Sequence, residues 1–120
     1  MLAESWEVSP DYKVVKLKVR KGVQWHSGRD FTSDDVKYNL LRGRGAKAGV
    51  GTYVNQSAWF TTIETPEKYT AILTSEVARP SKFDYFNAPS MVDQVMMEAP
   101  PATNTLVGTG PFTFVEWVQG

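Results

Sequence analysis

GVQWHSGRDFTSDDV, residues Gly22–Val36, compresses the end of a strand, a polar turn and the start of a helix into one short run. Thr32 occupies an N-cap position with Asp35 three residues on, the spacing of a capping box, so a hydroxyl and a carboxylate can satisfy the free amides of a first helical turn. Asp34 and Asp35 also put negative charge at the positive end of the helix dipole. Phe31 before the cap and Val36 after it have the spacing of a hydrophobic staple. These signals predict a helix over Ser33–Arg42 that buries Val36, Leu40 and Leu41 and breaks in the glycine-rich GRGAKAGVG that follows.

Outward from this joint, strands outnumber helices. Glu4–Ser9 and Tyr12–Arg20 flank the turn pair Pro10 and Asp11, and Val15, Leu17 and Val19 alternate with Lys16, Lys18 and Arg20, which predicts a hairpin with one buried face. Phe60–Thr65 and Lys68–Thr74 repeat the arrangement around Pro66 and Glu67, with Tyr69, Ala71 and Leu73 on one face. A second short helix is expected after Arg79, led by Pro80 and packing Phe83, Tyr85 and Phe86 inward. EAPPATNT, from Glu98 to Thr105, reads as a connector, and a last strand is expected from Pro111 to Val118. The sum is an α+β domain with a mainly antiparallel sheet of short strands and one or two helices covering one face. Trp6, Trp25, Trp59 and Trp117, with six Phe and five Tyr, are many aromatics for such a chain; they fill the core, or some of them line a cleft or an interface with another domain.

A chain of 120 residues, 42% hydrophobic, buries one modest core, so residues 1–120 are expected to form a single domain. Its 13 basic and 13 acidic residues cancel, which disfavours nucleic acid as a partner. The local excess at Lys13, Lys16, Lys18, Arg20 and Lys21 follows strand alternation and reads as one solvated face rather than a phosphate patch. Cysteine is absent, so disulfides, thiolate metal sites and a cysteine nucleophile are excluded. No apolar run approaches the roughly 20 residues of a membrane span, and the start of the chain lacks the pattern of a signal peptide. Met1 followed directly by Leu2, Ala3 and Glu4 resembles the start of an excised domain.

No residue is assigned a catalytic or metal-binding role. His26 is the one histidine and has no second histidine or cysteine beside it, so a turn histidine bonding the local backbone is the favoured reading. A small hydrolase built on His26 needs a nucleophile and an orienting acid within hydrogen-bond reach. Capping accounts for Asp34 and Asp35 more simply than general acid and base roles do. The Gly-x-Gly elements at Gly49 and Gly108 lack the third glycine and the strand, loop and helix context of a dinucleotide site. Asn55, Gln56 and Ser57 match a glycosylation sequon, a frequent chance match.

Three separated blocks carry a resemblance: LAESWEVSPDYKVVKLKVRKGVQWHSGRDFTSDDVKYNLLR, then IETPEKYTAILTSE, then VGTGPFTFVEW. In order and spacing they resemble the family 5 extracellular solute-binding proteins, the oligopeptide, dipeptide and nickel receptors of bacterial ABC importers. Trp6, Asp11, Gly22, Trp25, His26, Gly28, Phe31, Thr32, Asp35 and Val36 match the first block's pattern, and Tyr12 departs from it where glycine is usual. The resemblance implies a periplasmic-binding-protein type II (cluster C) architecture, of which this segment corresponds to the small domain inserted into the first lobe, domain Ib, with the hinge and second lobe absent. It further implies a receptor rather than an enzyme, without a cofactor. Its partners would be a peptide or other small solute and an ABC transporter permease, both met only by the full-length receptor, in the periplasm or outside the cell, where a lipoprotein anchor is compatible. Carried over to this chain, the family's ligand-chamber contacts fall on Tyr53, Trp59, Asn87, Pro89 and Ser90; Trp59 packing under the sheet and Pro89 turning the chain are the structural alternatives. A second class stays open, a free-standing interaction module that recruits a partner, or self-associates, through exposed aromatics or a sheet edge.

Overall fold

The computed structural model describes residues 1–44, 57–81, 86, 90–99, 107–116 and 118. Six elements follow in chain order: β1 (Ala3–Val8), β2 (Val14–Val19), α1 (Ser33–Arg42), β3 (Thr62–Glu67), β4 (Thr70–Thr74) and α2 (Gln94–Glu98). The strands form one antiparallel sheet in the order β1-β2-β4-β3, so the two predicted hairpins lie side by side and meet where β2 pairs with β4.

The turn of the first hairpin is held by the Ser9 carbonyl accepting from the Tyr12 amide at 2.9 Å and by Asp11 Oδ1 accepting from the Lys13 amide at 3.1 Å. Tyr12 adopts φ 55°, the left-handed conformation that glycine reaches without steric cost, so its side chain sits where the backbone favours none. In the second hairpin the ladder shifts register between Glu64 and Glu67, around Pro66, whose missing amide a bulge on an edge strand tolerates.

Register puts Val15 opposite Leu73 and Leu17 opposite Ala71, and these four, with Val19 and Ile63, make one apolar face. Against it pack Trp25, Phe31, Phe60 and, from α1, Val36 and Leu40. Leu41 was expected to be buried as well, but it is 43% exposed. It lies roughly 100° around the helix from Leu40, beyond the stripe that meets the sheet. The Ser33 hydroxyl fixes the helix to the second hairpin by donating to the Glu67 carbonyl at 2.7 Å, while the Ser33 amide donates to the Lys68 carbonyl at 2.9 Å.

One other expectation is corrected, and one element lies where the sequence carries no prediction. Helix α2 forms just ahead of the Glu98–Thr105 connector; it is a single capped turn, with Asp93 Oδ1 accepting from the Val95 amide at 3.0 Å, and none of its residues is buried. The described residues of 111–118 form no strand: they pair with no other described element, and Phe112, Val115 and Val118 are exposed. The helix expected after Arg79 falls mostly outside the described residues, although Phe86 is half-buried with its ring 5.9 Å from that of Phe60. Among the described residues no helix is long and apolar enough to cross a membrane.

Candidate functional site

The joint around Gly22–Val36 is where the chain is most heavily tied together. Gly22 (φ 75°) and Gly28 (φ 84°) supply the left-handed positions, and the turn closes through the Trp25 carbonyl accepting from Gly28 at 2.8 Å and the Arg29 carbonyl accepting from Trp25 at 2.8 Å. This places Arg29 beside the start of α1. Its guanidinium donates to Asp35 Oδ1 at 2.6 Å and Oδ2 at 3.1 Å, and to Asp93 Oδ1 at 2.6 Å. Asp35 Oδ2 also takes the Thr32 amide at 2.8 Å, the acidic half of the capping box. The Ser27 hydroxyl donates to Asp93 Oδ2 at 2.7 Å, and the Arg29 guanidinium lies 5.8 Å from the Trp25 ring centre. One cation thus holds two fully buried carboxylates, one from α1 and one from the cap of α2.

Burial pushes the Asp93 carboxyl up, but the hydrogen bonds from Arg29, the Ser27 hydroxyl and the Val95 amide outweigh it, so the group titrates below the ordinary aspartate range. A lowered native pKa contributes stability that is present above the unfolded value and lost as pH falls through the native one. The urea midpoint should therefore begin to fall below about pH 4, near the unfolded aspartate value, and the fall should be shallower in Asp93→Asn. An equally steep acid limb in that variant would show that Asp93 does not set it.

His26 anchors the C-terminal segment. Its amide donates to the Gly108 carbonyl at 2.9 Å, its Nδ1 accepts from the Gly108 amide at 3.2 Å and its Nε2 lies 2.8 Å from the Gly110 carbonyl. This corrects the expectation of a local partner: the backbone it bonds lies more than eighty residues away. Both ring nitrogens are occupied by main-chain groups, which leaves neither to activate a hydroxyl. Asp34 is engaged by the Thr65 hydroxyl at 2.7 Å, and Asp35 by Arg29. Among the described residues no cluster of three or more His, Asp or Glu side chains could hold a metal ion.

Of the five residues expected at a ligand chamber, Tyr53, Asn87 and Pro89 lie outside the described residues. Trp59 is half-buried, with the Arg79 guanidinium 4.8 Å from its ring centre, and Ser90 is exposed. No hydrogen bond, ion pair or ring contact joins these two.

The open concavity is elsewhere. Helix α1 packs over β3 and β4, leaving the β1–β2 half of the apolar face with a cleft of about 380 Å³ between Trp6, Leu17, Val19, Val36, Leu40 and Met91. Trp6 is the cross-strand partner of Leu17 and shares its face, yet is 50% exposed at the rim of the cleft while Leu17 beside it is buried. Among the aromatic alternatives left by the sequence, Trp25 belongs to the core and Trp6 to the cleft, while Trp117 lies outside the described residues. Arg29, Asp93 and the cleft had no signal in the chain's spacing, since the partners come together only through tertiary packing.

Comparison with known proteins gives a consistent result. Residues 1–120 match the family model described as bacterial extracellular solute-binding proteins, family 5 Middle. A Brucella ovis protein named as an ABC transporter peptide-binding protein is 30% identical over 126 aligned residues, covering 98% of this chain and 24% of that protein. The dipeptide-binding protein DppE of Bacillus subtilis is 28% identical, covering 97% of this chain and 25% of its own. Among solved structures, the binding protein AgaA of A. tumefaciens R10 in complex with agropinic acid superimposes with a TM-score of 0.87 at 35% identity, over 99% of this chain and 25% of AgaA. The chain spans about a quarter of the length of the relatives it matches.

Proposed function

The chain belongs to the bacterial extracellular solute-binding proteins of family 5, and on that premise we propose that it serves as one part of a receptor that captures a peptide or similar small solute for the permease of an ABC importer. The match of the family model to the whole chain carries this reading. The α+β sheet with its covering helix is the fold the resemblance implied, and the relatives are receptors, not enzymes.

Within the receptor, residues 1–120 act as one compact unit of the first lobe, the domain Ib position, and the hinge and second lobe come from the remaining polypeptide. Its contribution is architectural. The Arg29 ion pairs and the His26 clamp make the joint, α1, α2 and the C-terminal segment move as one body, so a closing lobe would meet a rigid wall. A ligand chamber must cover most of the solute's surface, which a quarter of the receptor cannot do alone. Trp59, Tyr53 and Ser90, with Asn87 and Pro89, are the residues that would reach that chamber. The work is done in the periplasm or outside the cell, with a lipoprotein anchor as the means of retention.

The test is a thermal-shift screen of the longer receptor against pools of di- to pentapeptides and of small organic acids. A solute present at about 100 times its Kd should stabilise the protein by about 2.7 kcal/mol. Unchanged melting in every pool would overturn the receptor reading. For the pool that binds, unchanged affinity and selectivity in Trp59→Ala and Tyr53→Ala would remove those two residues from the chamber.

A further inference from the structure

The two ring bonds of His26 ask opposite things of the imidazole. The Gly110 carbonyl, 2.8 Å from Nε2, can only accept, so Nε2 carries the proton. The Gly108 amide, 3.2 Å from Nδ1, can only donate, so Nδ1 must offer a lone pair. Both demands are met by the neutral ring in one tautomer. An imidazolium bears a proton on each nitrogen, and turning the ring over does not help, since either nitrogen then points an N–H at the Gly108 N–H. A backbone donor left facing another donor loses its bond outright.

We propose that His26 is a proton-sensitive latch: the neutral ring holds the C-terminal segment at Gly108, and the protonated ring lets Gly108 go. Histidine is the side chain that ordinarily changes charge between pH 5 and 8, and this chain carries one. The ring is half-buried and its bond to Gly110 lies at the surface, so solvent protons reach it. The neighbouring charges are committed elsewhere. Arg29, in the same joint, is held by Asp35 of α1 and by Asp93 at the cap of α2. Asp30 pairs with Lys68 at 2.9 Å, and Asp34 accepts from the Thr65 hydroxyl. On the side of the C-terminal segment the first charged residue after Val107 is Glu116. Release is local, because the Arg29 ion pairs that join α1 to α2 do not pass through the ring.

Hydrogen exchange on the longer receptor at about pH 8 and about pH 5, either side of the ordinary histidine range, tests this, with protection expressed against free-peptide rates at the same pH. Protection of the Gly108 amide should fall at least about ten-fold at the lower pH, the effect of leaving one backbone donor without its acceptor, while amides of β2 keep theirs. His26→Asn puts a carbonyl oxygen where Nδ1 accepts and has no proton to gain, so its Gly108 protection should not change with pH. Equal protection at both pH values in the wild type would overturn the proposal. So would a fall of the same size in His26→Asn, or one shared by β2, which marks general unfolding. Ring nitrogen shifts of the wild type give a measure that needs no variant: near the upper pH they should show the proton on Nε2, and a proton on Nδ1 there would overturn the latch.

Discussion

Arg29→Met should destabilise the protein by about 3–5 kcal/mol at pH 7, the cost of leaving buried carboxylates without their cation. Asp35 and Asp93 are each 1% exposed, and the guanidinium supplies both of them with charge-assisted bonds of 2.6 Å. Methionine keeps the length of the stem, so the packing over Trp25 is largely retained and the loss reports the charge. Two further results follow from this cause. Adding Asp93→Asn to Arg29→Met should recover part of the loss, because it removes one orphaned charge. The variant should also narrow its deficit as pH is lowered from 7 to 4, since carboxylates without a cation bind protons more readily in the folded state than in the unfolded one. Urea melts of the wild type and these two variants at both pH values measure these quantities, and a deficit that is constant with pH would show that lost packing dominates.

Phe31→Ala should cost about 3–5 kcal/mol, a large share of the 5–15 kcal/mol that holds an ordinary domain together. Phe31 is fully buried, its ring centre lies 5.4 Å from that of Trp25, and it lines the floor of the apolar cleft. The truncation removes a staple residue and enlarges a void that is already open on one side. Phe31→Leu, which keeps most of the volume, should lose less than half as much. If the two substitutions cost the same, the ring's edge contact with Trp25 would outweigh volume as the source of stability.

The parts of the fold that were readable in advance share a physical origin. Thr32, Asp35, Phe31 and Val36 act within five residues of one another, so capping and stapling chemistry appears as spacing, and α1 begins and ends where that spacing puts it. The alternation of Val15, Leu17 and Val19 with charged neighbours likewise reports a face, because side chains of a strand alternate whatever the strand pairs with. The expectation for Pro111–Val118 went astray for the complementary reason: its composition suits a strand, but a strand exists only against a partner, and none of the described elements offers one. Leu41 went astray by a rotation, since an apolar residue next to the stripe looks the same in the chain as one within it.

The candidate site was less readable still. His26 stood out by being solitary, and its spacing suggested a local partner; the fold instead gave it a carbonyl and an amide from Gly108 and Gly110. Arg29 and Asp93 carry no signal in the chain, as an arginine in a polar turn and an aspartate before a five-residue helix. They stand 64 positions apart, with no periodicity that could link them.

The amino-acid order alone settled the capped helix and the two hairpins, because each is written in residues close enough to interact before the chain is compact, and three separated blocks of it marked the family. Tertiary structure alone decided that one half-buried cation joins both helices, that the histidine holds the C-terminal segment, and that a cleft opens on the sheet's apolar face beside Trp6. Those outcomes depend on distances between remote residues, which packing sets.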